Sequence, residues 1–170
     1  MTWHDADESL DELVRDHLPE TLRFAVRLTG DPHEAEDVVQ EALIRVTRSW
    51  KSFRAEAGFR TWLFRIVINV FRDRLRSHSP HLALSDELPD SAATSPETQA
   101  AAVELKRLIA ELVSALPPRQ REVLVLLTYE GFSPQDVSEL LSISVANVYA
   151  TLHVARERLR TQLAPYLVEK

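Results

Sequence analysis

The chain has 170 residues, no cysteine and a net charge of −6, enough length for one ordinary domain or two small ones. The lack of cysteine excludes a disulfide framework and thiolate metal sites and fits a reducing compartment. The segment Met1 to Leu10 is polar and acidic, unlike a secretory leader, and the longest apolar stretches, Ile66 to Phe71 and Val123 to Leu127, are too short for a membrane span, so no membrane insertion is expected.

Three glycines leave little material for hairpin turns, and apolar residues recur at helical spacing, which predicts an all-α fold. Leu10, Leu13, Val14, His17 and Leu18 form a first helical stripe, which Pro19 is expected to kink or end. Leu22, Ala25, Val26 and Leu28 continue the pattern up to Gly30, a C-terminal stop. Asp31-Pro32-His33-Glu34 is a helix start, with Asp as N-cap and Pro at the first position, and the helix should run to about Trp50. Val38, Val39, Ala42, Leu43 and Val46 form its buried side. Thr61 is predicted to cap a helix from Trp62 to about Arg76.

Ser77 to Thr98 breaks the pattern with Pro80, Pro89 and Pro96 among Ser, Ala, Asp and Thr, and reads as a flexible acidic linker. It separates a domain over residues 1–76 from one over residues 99–170. A helix opening near Ser95-Pro96 carries Leu105, Leu108, Ile109, Leu112 and Leu116 on one face. Pro117-Pro118 then opens a helix from Arg119 to Tyr129, which Gly131 stops. Ser133-Pro134-Gln135-Asp136 caps a short helix ending by Leu141, and Ser144 caps a last one running through Arg160.

The average charge hides a strong polarity. Residues 1–44 carry 12 acids against three arginines, and residues 45–76 carry nine basic residues against Glu56 and Asp73. Residues 77–102 hold four acids and no Lys or Arg, while residues 103–170 balance at eight of each. A basic block beside an acidic one points to two different partners for one domain, although two solvated helix faces give the same pattern.

The short helix from Pro134, the turn Ser142-Ile143-Ser144 and the helix from Val145 have the dimensions of a helix-turn-helix, locked by Val137, Leu140, Leu141, Ile143, Val145, Val148 and Leu152. In such a unit the second helix enters the major groove, and its outward residues here are Ala146, Asn147, Tyr149, Ala150 and His153. On the helix after Thr61, Arg65, Asn69, Arg72 and Arg76 fall on one polar, basic stripe. The loop before it, Trp50 to Arg60, interleaves Trp50, Phe53 and Phe59 with Lys51, Arg54 and Arg60. Aromatics offer stacking surfaces to exposed bases, arginines hold phosphates, and Asn pairs with a base edge; core packing and solvation explain the same residues taken singly. The preceding helix presents Asp37, Gln40, Glu41 and Ile44 as an acidic-polar stripe with one apolar anchor, suited to a basic partner helix. The six histidines show no metal-ligand spacing and no glycine-rich phosphate loop is present, so neither an active site nor a metal or cofactor is expected.

Gly30-Asp31-Pro32-His33-Glu34-Ala35-Glu36-Asp37-Val38-Val39-Gln40-Glu41, followed by Phe59-Arg60-Thr61-Trp62-Leu63-Phe64-Arg65-Ile66-Val67-Ile68-Asn69, resembles region 2 of extracytoplasmic-function sigma factors. Leu116-Pro117-Pro118-Arg119-Gln120-Arg121-Glu122-Val123, with the helix-turn-helix and Ala155-Arg156-Glu157-Arg158-Leu159-Arg160, resembles region 4. The resemblance covers nearly the whole chain and implies a cytoplasmic, non-enzymatic transcription factor of two helical domains. It implies that Asp37, Gln40, Glu41 and Ile44 dock on the clamp helices of the largest subunit of core RNA polymerase. It further implies that Phe53, Arg54, Arg60, Arg65, Asn69, Arg72 and Arg76 hold the −10 element of promoter DNA. Arg119, Ala146, Asn147, Tyr149, Ala150, His153 and Arg156 would meet the −35 duplex, the same domain would meet the polymerase flap, and an anti-sigma protein would hold the factor inactive.

The chain departs from the family at Tyr149, Ala150, Thr151 and Val154, where a basic stretch is usual, and no Lys or Arg lies between Glu122 and Val154. Because phosphate neutralisation supplies most DNA affinity, weak or absent duplex binding by the isolated second domain is expected. That leaves open a polymerase-binding adaptor without autonomous −35 reading, whereas an ordinary helix-turn-helix regulator leaves the N-terminal motifs unexplained.

Overall fold

The computed structural model describes residues 5–54, 58–77 and 96–167, with side chains over 10–54, 58–77 and 102–166. Among the described residues the elements are helices, without a strand: α1 (Asp5–Thr29), α2 (Pro32–Ser49), a 3-10 turn (Trp50–Ser52), α3 (Phe59–Ser77), α4 (Pro96–Ser114), α5 (Pro118–Thr128), α6 (Pro134–Leu141) and α7 (Val145–Leu167). They form two compact units, α1 to α3 in one and α4 to α7 in the other. Of the stretch predicted to be a linker, residues 78–95 lie outside the described residues.

In the first unit α1 does not end or break at Pro19, which lies inside the helix. The reason is the stripe it interrupts only in chemistry. Leu10, Thr21, Phe24, Ala25 and Leu28 are buried and Leu13, Val14 and His17 half-buried, one face of a helix at 3.6 residues per turn that runs past Pro19. Pro19 sits on the exposed side, where water can serve the Arg15 carbonyl that loses its donor, and Thr21 Oγ1 donates to the His17 carbonyl at 2.7 Å. An interior proline costs about 3 kcal/mol, while burying each large apolar side chain returns about 1.5–3 kcal/mol. Burial wins. Leu18, expected on the buried stripe, is instead exposed, and Phe24 takes the central place.

The core closes when α2 contributes Ala35, Val38, Val39, Ala42 and Val46, and α3 contributes Phe59, Leu63, Phe64, Val67, Ile68, Val70 and Phe71. Phe24 and Phe64 stack with centroids 4.2 Å apart and planes within 6°. The start of α3 lies at Phe59, earlier than the Thr61 cap predicted. Gly58 explains the shift: its φ of +70° suits glycine, and its carbonyl accepts from the Trp62 amide at 3.2 Å, the first bond of the helix.

In the second unit α5 packs against α6 and α7, and α4 against α7. Val123, Leu124, Val125 and Leu126 are all buried, together with Arg121 and Glu122, so α5 is enclosed on most of its circumference. Around it lie Val113, Leu116, Phe132, Val137, Leu140, Leu141, Val148, Leu152 and Ala155. On α4, Leu108, Ile109 and Leu112 are half-buried, but Leu105, expected on the same face, is exposed. The last helix continues beyond Arg160 to Leu167, with no glycine to stop it.

The helix pair α6–α7 is set by local chemistry. The Ser133 hydroxyl accepts from the Asp136 amide at 3.1 Å and the Asp136 carboxylate accepts from the Ser133 amide at 2.9 Å, a reciprocal capping box. The Ser133 hydroxyl also donates to Asp136 Oδ2 at 2.6 Å, and this bond first, with the one from the Ser133 amide, holds the Asp136 carboxyl below its ordinary range. The turn is pinned twice, by the Ile143 amide on the Ser138 carbonyl at 3.0 Å and the Ser138 hydroxyl on the Ile143 carbonyl at 2.6 Å, with Ser142 left-handed at φ 55°. Helices α6 and α7 meet with a bend of 101°, within the range of helix-turn-helix units. Among the described residues no single helix is long and apolar enough to cross a membrane. Replacing Ser133 with Ala is expected to destabilise the second unit by about 1 kcal/mol. The measurement is hydrogen exchange, with protection falling over residues 134–141 and unchanged over residues 59–77.

Candidate nucleic-acid and partner interfaces

Burying Val38, Val39, Ala42 and Val46 turns the opposite face of α2 outward. Asp37, Gln40 and Ile44 are exposed there, and Glu41 is half-buried. Neither carboxylate stands alone. Arg74 Nη2 donates to Asp37 Oδ2 at 3.1 Å, and Arg45 Nε donates to Glu41 Oε1 at 3.0 Å. Arg45 Nη1 also reaches Asp73 Oδ2 at 2.8 Å, and Arg76 Nη2 reaches Asp73 Oδ1 at 2.8 Å. The hydrogen bond from Arg45 is the main reason the Asp73 carboxyl lies below its ordinary range, and the Asp73 bond in turn raises Arg45.

Arg74, Arg45 and Asp73 were not among the residues singled out from sequence. Arg74 lies nine residues after Arg65, two and a half turns on, and so half a turn away from the basic stripe. Helix α3 therefore carries two sets of arginines, one facing α2 and one facing outward. On the outward stripe Arg65, Asn69 and Arg76 are exposed and Arg72 is half-buried.

The loop before α3 folds into an aromatic cluster. Trp50 stacks on Phe53 with centroids 5.2 Å apart and planes within 11°, and Phe53 lies 4.8 Å from Trp62. Phe59 closes the group at 5.9 Å from both Phe53 and Trp62. Phe59 is buried, while Trp50, Phe53 and Trp62 are half-buried, so the rings serve as core and as surface at once. Arg54 is exposed beside them, and residues 55–57 lie outside the described residues.

Arg60 differs from the arginines of the stripe. Its Nε donates to Glu20 Oε2 at 2.9 Å and its guanidinium lies 4.7 Å over the Phe64 ring. Glu20 also bonds to the His17 ring, which itself lies 5.4 Å from Phe59. Arg60 thus ties α3 to α1 beneath the aromatic cluster.

In the second unit Ala146, Asn147, Tyr149, Ala150, His153 and Arg156 are all exposed on α7, in one band. The Ser144 hydroxyl accepts from the Asn147 amide at 3.1 Å, which caps α7 and leaves the Asn147 side chain outside. Tyr149 and Val154 are exposed apolar residues. Arg119 is exposed as well, with its Nη1 within 3.5 Å of the Leu141 carbonyl and 3.6 Å of the buried Glu122 carboxylate.

Burial tends to raise the Glu20 carboxyl, but the bonds from His17 and Arg60 outweigh it and the net shift is downward. A carboxyl lowered on folding contributes stability above its unfolded value, and that contribution is lost as pH falls through the lowered folded value. Stability of the first unit is therefore expected to decline on the acid side of the carboxylate range, and Glu20→Gln to flatten that decline. Tryptophan-monitored denaturation at stepped pH measures it.

The chain has counterparts among known proteins. Residues 13–80 match the family model Sigma-70 region 2, and residues 106–159 match Sigma-70, region 4. The ECF RNA polymerase sigma factor SigW of Bacillus subtilis is 32% identical over 170 residues, covering 94% of this chain and 89% of that protein. The ECF RNA polymerase sigma factor SigE of Mycolicibacterium smegmatis is 36% identical over 166 residues, covering 95% of this chain, which spans only 64% of that relative's length. Among solved structures, CnrH in complex with the cytosolic domain of CnrY superposes with a TM-score of 0.68 at 27% identity, over 94% of this chain and 90% of that one. The chain belongs to the ECF RNA polymerase sigma factors, which are transcription initiation factors and not enzymes.

Proposed function

We propose that the first unit, over residues 1–76, joins core RNA polymerase to the −10 element, using separate faces of one small helical unit. The observation that carries this reading is the outward α2 face of Asp37, Gln40, Glu41 and Ile44 within the same unit as the exposed Arg65, Asn69 and Arg76. The α2 face meets the clamp helices of the largest subunit, where Ile44 supplies an apolar anchor and the carboxylates meet cations. Phe53 and Arg54, with Arg65, Asn69, Arg72 and Arg76, hold the non-template strand as it opens. Arg60 acts from beneath, by supporting Phe64 and the aromatic cluster. Unstacking a base costs a few kcal/mol, and stacking on an aromatic side chain returns about 1–3 kcal/mol per base, so strand opening needs no ATP.

The second unit, from α4 (Pro96–Ser114) onward, meets the polymerase flap and the −35 duplex. The α7 band of Ala146, Asn147, Tyr149, Ala150, His153 and Arg156 faces the major groove, with Arg119 holding the α6 end of the unit. With a single cation in that band, duplex contact is weak outside the holoenzyme and shallow in its salt dependence. The complex solved for CnrH supports a protein partner for this chain too, an anti-sigma factor that covers it. All of this takes place in the cytoplasm.

Reconstitution with core polymerase on a promoter library tests the reading, which expects start sites sharing a −10 sequence and a −35 sequence. Start sites sharing only a −10 sequence would remove the −35 role of α7, and failure to bind core would remove the whole reading. Reversing charge at Asp37 and Glu41 to Lys is expected to weaken core binding at least tenfold with unchanged helical circular dichroism, about 1.4 kcal/mol or more.

A further inference from the structure

The proposed polymerase face is more ordered than an acidic stripe needs to be. Asp37 and Glu41 each receive a hydrogen bond from an arginine of the same unit, at 3.1 and 3.0 Å. Each pair uses one carboxylate oxygen, Oδ2 of Asp37 and Oε1 of Glu41, and both side chains remain open to solvent, 60% and 41% exposed. A carboxylate accepts about four hydrogen bonds, so each keeps capacity for an incoming donor. Arg45 is itself held from its other side, by Asp73 on α3 at 2.8 Å.

Two opposite effects on a basic partner follow. The arginines place positive charge beside the docking carboxylates, which repels the partner. They also restrict the carboxylate rotamers before docking, which reduces the ordering cost of binding. In solvent the repulsion is weak and screened by salt, whereas the rotamer freedom of an untethered Glu or Asp must be removed in full. Arginine's planar fork is suited to holding a carboxylate in one orientation.

We propose that Arg74 and Arg45 are positioning residues for core polymerase, holding the Asp37 and Glu41 carboxylates in their docking pose, with Asp73 holding Arg45. This rests on the reading of the α2 face given above. Removing either arginine therefore weakens docking, although it makes the face more acidic. The two effects differ in sign, which makes the test decisive.

The full-length chain, labelled with a fluorophore, is titrated with core polymerase and its anisotropy followed at two salt concentrations. Arg74→Gln and Arg45→Gln are each expected to weaken binding by about three- to tenfold, and Asp73→Asn by about two- to threefold through Arg45. Added to Asp37→Asn, Arg74→Gln is expected to cause no further loss, and likewise Arg45→Gln added to Glu41→Gln. A structural role would cause the same loss on both backgrounds, and that result overturns the proposal. Unchanged or tighter binding by the arginine variants also overturns it. Should a Gln variant melt early, Arg74→Lys and Arg45→Lys keep the charge without the fork. At least a twofold loss is expected of them, and wild-type affinity overturns the proposal. If Asp37→Asn and Glu41→Gln leave core binding unchanged, the α2 reading itself fails; if they weaken it and the arginine variants do not, only the positioning role fails.

Discussion

Each helix of the first unit can bury only one face, and function is confined to what that leaves outside. At 3.6 residues per turn, placing Val38, Val39, Ala42 and Val46 inward puts Asp37, Gln40 and Ile44 outward with no further instruction. The same constraint on α3, anchored by the Phe24–Phe64 stack, divides its arginines between a side facing α2 and a side facing solvent. Helix α1 obeys it strongly enough to run through a proline. A small domain has little core to spare, so a face that serves a partner is also the back of a face that holds the fold.

The aromatic cluster shows how closely the two roles sit. Trp50, Phe53 and Trp62 are half-buried against one another and against Phe59, with Arg60, Glu20 and His17 beneath. Rings in this state have little conformational freedom left to lose, because neighbouring rings already fix their orientation. Partial burial fits both readings that the sequence left open, core residue and stacking surface.

The second unit is organised differently. Its central helix buries Glu122 and Arg121 along with four apolar residues, and Arg119 spans from Glu122 toward the Leu141 carbonyl at the end of α6. The exposed band of α7 is short in cations, so on the reading proposed above its affinity for duplex would come from polar and apolar contact with base edges, from Arg156, and from the rest of the holoenzyme. On that reading the weight of promoter engagement falls on the first unit.

Much of the helical plan was legible from residue spacing, because helix caps and periodic burial are local. Ser133 with Asp136, Ser144, and the starts at Pro32 and Pro118 follow from chemistry within four residues. The exposed residues of α2, α3 and α7 were legible for the same reason, being the complement of the buried stripes. Local rules failed where distant groups decided the matter. Pro19 was overruled by the burial of Phe24 and Leu28, and Phe59 joined α3 because Gly58 adopts a positive φ. The partners of the charges were invisible too: Arg74 with Asp37, Arg45 with Asp73 and Arg60 with Glu20 are separated by 37, 28 and 40 residues. Sequence by itself determined the helices, their outward faces and the family. Only the tertiary structure decided which partners hold the charges of those faces, because ion pairing depends on how helices pack, and no spacing along one helix encodes that.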